Sequence, residues 1–277
     1  MTAQQAAILK LLADDDRQTL ALIKAQFLAR GREALAELQG LEPHAMGRAR
    51  ANLADLISEI ERGHVDAIFE ELCATFREHG NLEEAAWRLA ATFLPGEDFG
   101  PARQQLDDWG KEVSKRLLKA DGEEERIETL VEYLSHEVRF RGNEADYYNL
   151  NNSLLPEVIE TRHGIPITLS LIYILVGQRA GLLVQGVGLP GHFIIRCGEA
   201  FFDPFHGGRR LSLGDCRMIL EQRNFELTPD QLAPATARQI LARMLANIHR
   251  LAEPSDPPLA AKLGRWMEAL SATSRSR

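Results

Sequence analysis

Cysteine is scarce, with three residues in 277, at 73, 197 and 216. They are too few and too scattered for a disulfide framework, which is what a reducing compartment leaves. No Cys-x-x-Cys or His-x-x-x-His pair occurs, so no local spacing marks a metal site. There is no Lys/Arg block: 32 basic residues face 40 acidic ones, for a net charge of −8. A surface of that sign repels phosphate backbones and argues against a nucleic-acid footprint. Arg275 and Arg277 form only a small basic tail, read as a frayed terminus. Apolar runs such as 169–177 are far too short to span a bilayer. Met1-Thr2-Ala3-Gln4-Gln5 lacks the basic-then-apolar plan of an export signal. The expected compartment is therefore the cytoplasm, with no membrane partner.

What the chain does have changes along its length. The first 120 residues are dominated by Ala, Leu, Glu, Arg and Gln, the strong helix formers. Apolar residues there recur at helical spacing: Ile8, Leu11 and Leu12, then Leu53, Leu56, Ile57 and Ile60, then Val65, Ile68, Phe69, Leu72 and Phe76. Gly31, Gly40, Gly63, Gly80 and Pro95 punctuate them, so a bundle or a short helical-repeat array is expected over 1–120. Two further amphipathic helices follow. One starts at Pro101 and turns Leu106, Trp109 and Val113 inward. The next opens on Glu123, Glu124 and Glu125, which favour the positive end of a helix.

From Tyr147 the grammar is different. Asn and Ser residues around 149–153 suit the cap of a short helix over 154–160. Pro166 then opens a helix expected to reach about residue 180. It is apolar on nearly every side (Ile167, Leu169, Leu171, Ile172, Ile174, Leu175, Val176), which marks it as the buried centre of a domain. Eight of the 21 glycines fall between 181 and 214. Among them lie three strand candidates, 183–187, 192–197 and 200–203. A buried helix followed by an antiparallel meander gives an α+β core over 121–250, followed by a short helical tail over 251–277.

Candidate chemistry sits on the meander. With a two-residue turn at Gly198-Glu199, Cys197 pairs with Ala200 and Ile194 with Asp203. Strand alternation then puts His192 and Asp203 on one face, close enough for the carboxylate to orient the imidazole. That is the base-and-orienter half of a nucleophilic triad.

Four motifs carry a resemblance. Asn152-Ser153-Leu154, Arg162-His163-Gly164-Ile165-Pro166-Ile167-Thr168, Leu189-Pro190-Gly191-His192-Phe193 and Phe202-Asp203-Pro204-Phe205 resemble, in order, the transglutaminase-like superfamily, and within it the bacterial SirB-type branch. The resemblance implies a papain-like α+β core and covers about residues 100–250. Enzymes of the superfamily act at amide bonds with a Cys at the N-terminus of the central helix, a His on one strand and an Asp on the next. His192 and Asp203 match the base and the orienter, while the nucleophile falls at about Pro166, as it does in the branch's Gly-Ile-Pro-Ile pattern. The resemblance therefore implies the fold without thiol catalysis. Members often carry tetratricopeptide-type helices after the core, of which 251–277 holds at most a remnant.

The expected role is a non-catalytic module that binds a peptide or protein segment through Asn152, Ser153, Arg162, Gly164, Pro166, Thr168, Gly191, Phe193 and Phe205, with no cofactor and no metal. Arg209, Arg210 and Arg162 could hold an anion near the pocket. His192, Asp203 and His206 are three donors within fifteen residues, the closest approach to a ligand set. The alternative is a hydrolase or acyltransferase with His192 as base, Asp203 as orienter, and an unconventional nucleophile or activated water. Cys216 is open on spacing, but a small buried hydrophobe is the simpler reading.

Overall fold

The computed structural model describes residues 1–272, and the basic tail of Arg275 and Arg277 lies outside the described residues. The chain divides into two compact units, residues 1–71 with 91–95, and residues 72–90 with those described from 96 onward.

The first unit is built from α1 (Ala3–Leu12), α2 (Arg17–Arg30), α3 (Leu35–Gln39) and most of α4 (Gly47–Thr75). Local chemistry starts the first two helices: Thr2 and Gln5 form a capping box, and Asp16 accepts from the N–H groups of Gln18 and Thr19. Leu12, Phe27, Leu38, Leu41, Leu53, Leu56 and Ile60 form the core. The inward stripe of α1 is Ile8, Leu9 and Leu12, whereas Leu11, expected inside, is exposed. Gly63 does not end α4. A mid-helix glycine costs only about 1 kcal/mol, and the helix continues through it.

The second unit takes residues 82–90 of α5 (Leu82–Phe93), then α6 (Gly100–Leu117), α7 (Glu123–Glu132), β1 (Arg141–Gly142), α8 (Leu155–Thr161), β2 (His163–Gly164) and α9 (Pro166–Arg179). It continues with β3 (Gln185–Leu189), β4 (His192–Cys197), β5 (Ala200–Asp203), β6 (Arg209–Leu211), α10 (Leu213–Glu221), α11 (Ala237–Ala252) and α12 (Pro257–Ala272). This is the α+β plan, with α9 at its centre. Every residue of α9 from Pro166 to Gly177 is buried, and the helix packs on α6, α8 and β4. Arg179 at its end donates to Glu83 at 2.8 Å and to Asp107 at 2.7 Å, tying α5 and α6 to it. The second unit thus begins well before residue 120. α6 belongs with the core because Gly110 lets it approach α9 where any Cβ would overlap the Arg179 side chain.

Two small sheets complete the unit. β3, β4, β5 and β6 form an antiparallel meander, and β1 pairs with β2 in parallel. The Gly198-Glu199 turn sets Cys197 opposite Ala200, as alternation predicts. β3 begins at Gln185 rather than 183, because Leu183 points to solvent. The short β6, which pairs Asp203 with Arg209, is not apparent from its Gly-rich approach. α8 starts after Leu154 with no side-chain cap, and Asn149 instead caps the 3₁₀ turn Leu150–Ser153 before it. α12 packs against α11 and buries Leu263, Trp266 and Leu270. Among the described residues no helix is long and apolar enough to cross a membrane.

Candidate functional site

The site lies where the β3–β4 turn meets the end of β5. Gly191 takes φ +73°, a left-handed conformation that suits glycine, and so delivers His192 at the first position of β4. Asp203 ends β5, and its backbone carbonyl accepts the Gly208 N–H at 2.8 Å, closing the following turn. Its Oδ1 accepts the N–H groups of Phe205 at 3.1 Å and His206 at 3.3 Å. Its Oδ2 therefore faces the two imidazoles: His192 Nε2 at 2.8 Å and His206 Nδ1 at 2.7 Å. A carboxylate can only accept, so each ring donates there. His192 Nδ1 is left without a hydrogen bond among the described residues.

Asp203 is 1% exposed. Burial alone would raise its carboxyl pKa, but hydrogen bonds and charge from His192 and then His206 outweigh that and hold it below the usual carboxylate range. Phe205 braces the group, with its ring edge-on to His192 at 6.2 Å. Phe205 is held in turn by the Gly142 N–H, which donates to its carbonyl at 2.8 Å.

Two adjoining hollows open on His192. The larger, 520 Å³, is walled by Tyr147, Tyr148, Pro166, Ile167 and Phe193, with Arg243 and Arg250 from α11. The smaller, 350 Å³, holds Asp203, His206 and Arg209, and both share Gly191, His192 and Arg223. Pro166 is the first residue of α9 and faces the same hollow as His192. A cysteine at that position would gain acidity from the helix terminus, whereas proline has no nucleophile to offer.

Of the residues expected at the site, His192, Asp203, Pro166, Gly191 and Phe193 come together here. Phe205 lines a neighbouring groove with His163 and His206. The others stand outside both hollows. Asn152 braces the preceding loop, accepting from Asn143 at 2.9 Å and donating to the Asp146 carbonyl at 2.6 Å. Gly164 pairs with Gly142. Ser153 and Thr168 are buried with no hydrogen-bond partner for their hydroxyls. Arg162 takes φ +64° after α8 and stacks its guanidinium over Trp109 at 4.6 Å and Phe140 at 5.5 Å. It is therefore not an anion holder in the cleft. Arg210 pairs with Glu128 at 3.0 Å, away from the site, and only Arg209 reaches the rim.

No cysteine lines either hollow. Cys197 and Cys216 are buried, and burial pushes both thiols up. Cys216 packs in an apolar cluster with Val187, Leu189 and Ile194. His192, Asp203 and His206 have ligand atoms within 4.8 Å of one another and are the residues that could hold a metal ion. Arg209 and Arg223 line the same hollow, and their charge works against a cation.

Sequence comparison agrees with this arrangement. The profile described as the transglutaminase-like superfamily matches residues 100–246, more than half of the chain. The chain belongs to that superfamily. It is 35% identical to a UPF0162 protein of Xylella fastidiosa over 153 residues, 52% of this chain and 52% of the relative. It is 31% identical to a UPF0162 protein of Pseudomonas aeruginosa over 185 residues, 65% of this chain and 68% of the relative. F-box only protein 21 of Mus musculus is 26% identical over 147 residues, 49% of this chain and 23% of that protein. The chain thus spans about half the length of the Xylella relative it matches. No solved structure matches. His192, Asp203 and Pro166 all fall within the matched region.

Arg223, Arg243 and Arg250 were not apparent as site residues in the sequence. They come from the end of α10 and one face of α11, 31 to 58 positions beyond His192. Only the two-residue-scale pairing of the meander, not these long-range approaches, leaves a local signal. His206 is a partial exception, since a His three positions past a candidate Asp is visible in the chain.

Proposed function

We propose that this chain is a binding member of the transglutaminase-like superfamily, whose cleft takes a polypeptide segment without transferring or hydrolysing an acyl group. The observation that carries the reading is Pro166, which occupies the first turn of the central helix in a hollow that it shares with His192, the partner of Asp203. The pair holds the cleft wall together: it satisfies a buried carboxylate and fixes the turn that carries Phe205. Three free, buried cysteines suit a reducing cytoplasm.

One observation favours a second reading. His192 has an unengaged Nδ1, so a water held there could be activated for hydrolysis. His192→Ala separates the two. Intact protein and variant are assayed for amine, ammonia and alcohol release from amide and ester substrates, with thermal melts of both in parallel. The expected result is no turnover above the buffer blank in either protein, and a lower melting temperature for the variant. Turnover by the intact protein that His192→Ala abolishes while the fold is retained would overturn the binding reading and establish a water-activating hydrolase.

A further inference from the structure

Like charges crowd the larger hollow, and nothing of opposite sign faces them. Arg223, Arg243 and Arg250 all line it, and its lining contains no Asp or Glu. Arg243 donates to backbone carbonyls, those of Leu189 and His192, both at 2.7 Å. Arg250 donates to the amide oxygen of Asn247 at 2.8 Å. The Arg223 guanidinium lies against Gly191. None of the three has a carboxylate within ion-pair reach among the described residues. In the adjoining hollow the single carboxylate is Asp203, already occupied by two imidazoles and two backbone N–H groups.

This arrangement is unfavourable in the free protein. Burial lowers the pKa of the Arg243 guanidinium and the charge of Arg250 lowers it further, against an opposing effect from Tyr147. Other arginines that pack on this unit's helices are paired: Arg179 with Glu83 and Asp107, Arg116 with Glu112 and Glu137, Arg210 with Glu124 and Glu128. Three guanidinium groups without a carboxylate in one cleft make a concentrated positive field in a chain of net charge −8.

We propose that the cleft takes an acidic segment of a polypeptide, with side-chain carboxylates seated among Arg223, Arg243 and Arg250. Planar guanidinium groups bind carboxylates in pairs of parallel hydrogen bonds, and a partly enclosed site strengthens them. Tyr147, Tyr148, Ile167 and Phe193 supply an apolar wall for the segment's other side chains. A small inorganic anion would fill little of the 520 Å³ and leave that wall uncovered. The proposal rests on the peptide-binding reading above and names the class of peptide.

The test is fluorescence anisotropy on the full chain, with fluorescein-labelled Glu-rich, Gln-rich and Lys-rich peptides of equal length and citrate as a competitor. Arg223→Ala with Arg250→Ala removes two exposed charges and leaves the backbone bonds of Arg243 in place. Lys111→Ala with Lys115→Ala, both exposed on α6, removes the same two charges away from the cleft and controls for net charge. Thermal melts check that each variant folds. The expected result is that the Glu-rich peptide binds, at least about tenfold more weakly to the arginine double variant than to the lysine double variant, and more weakly still as salt shortens the Debye length. Equal binding of Glu-rich and Gln-rich peptides, unaffected by the arginine changes, would overturn the acidic selectivity while leaving peptide binding intact. Citrate binding with no peptide binding would show a small-anion site and remove both readings. So would the absence of any binding.

Discussion

Asp203 concentrates more of the site's chemistry than any other side chain, since two imidazoles and two backbone amides converge on one enclosed carboxylate. Removing one member of such a buried, charge-assisted set leaves the others unpaired. Asp203→Asn should therefore cost roughly 3 kcal/mol of stability, read as a lowered denaturant midpoint. The pH dependence has a definite sign. The folded carboxyl is held below its unfolded value of about 3.9, so its contribution is fully present above that pH. It is lost as the pH falls through the lower folded value. Acid unfolding of Asp203→Asn should accordingly be less steep across that window than that of the parent. This pair was legible in the chain, because alternation along two strands and a two-residue turn leave only one register. The direction of His206 was not, because it is set by Oδ1 of Asp203 capturing the next two N–H groups rather than by any strand period.

Among the elements, α9 was the most legible. A run of Ile, Leu and Val behind Pro166 admits only a helix covered on all sides, and α6, α8 and β4 cover it. What covers it was harder to read. The apolar face of α6, with Leu106, Trp109 and Val113, fits an N-terminal bundle as well as a core helix. The deciding residue is Gly110, where helix-to-helix distance leaves no room for a side chain. Gly110→Ala should destabilise the protein by about 1–3 kcal/mol through overpacking, even though alanine favours the helix locally. Thermal unfolding measures it, and an increase in melting temperature would mean that propensity outweighs packing here. Gly63 makes the reverse point: glycine also stands inside a helix there, but a Cβ would meet no atom within 4 Å. Identical letters mark a helix crossing in one place and nothing in the other, and only tertiary packing tells them apart.

Over the whole molecule, the order of helices, buried helix, meander and closing helices was readable, because each period switch is written in local sequence. The edge between the two units was not, since it depends on which long-range partner each helix finds. The cysteines give a global check. All three are buried, outside any disulfide, and belong to the second unit, so none should react with Ellman's reagent until that unit unfolds, and denaturant should then release all three together. Thiols released at two separate midpoints would show that the second unit does not melt as one.

Arg243 also bears on how the molecule is handled. The superfamily match ends at residue 246, partway along α11, past Arg243 but short of Arg250. A fragment trimmed at that edge would keep the guanidinium that ties down the His192 turn. It would lose the last turns of α11 and all of α12, against which α11 packs. Truncation there would strip α11 of the helix it packs against and loosen the anchor of the turn from the opposite end of the sequence. A domain cut to the superfamily match would thus lack Arg250 at the hollow's edge and α12 behind it.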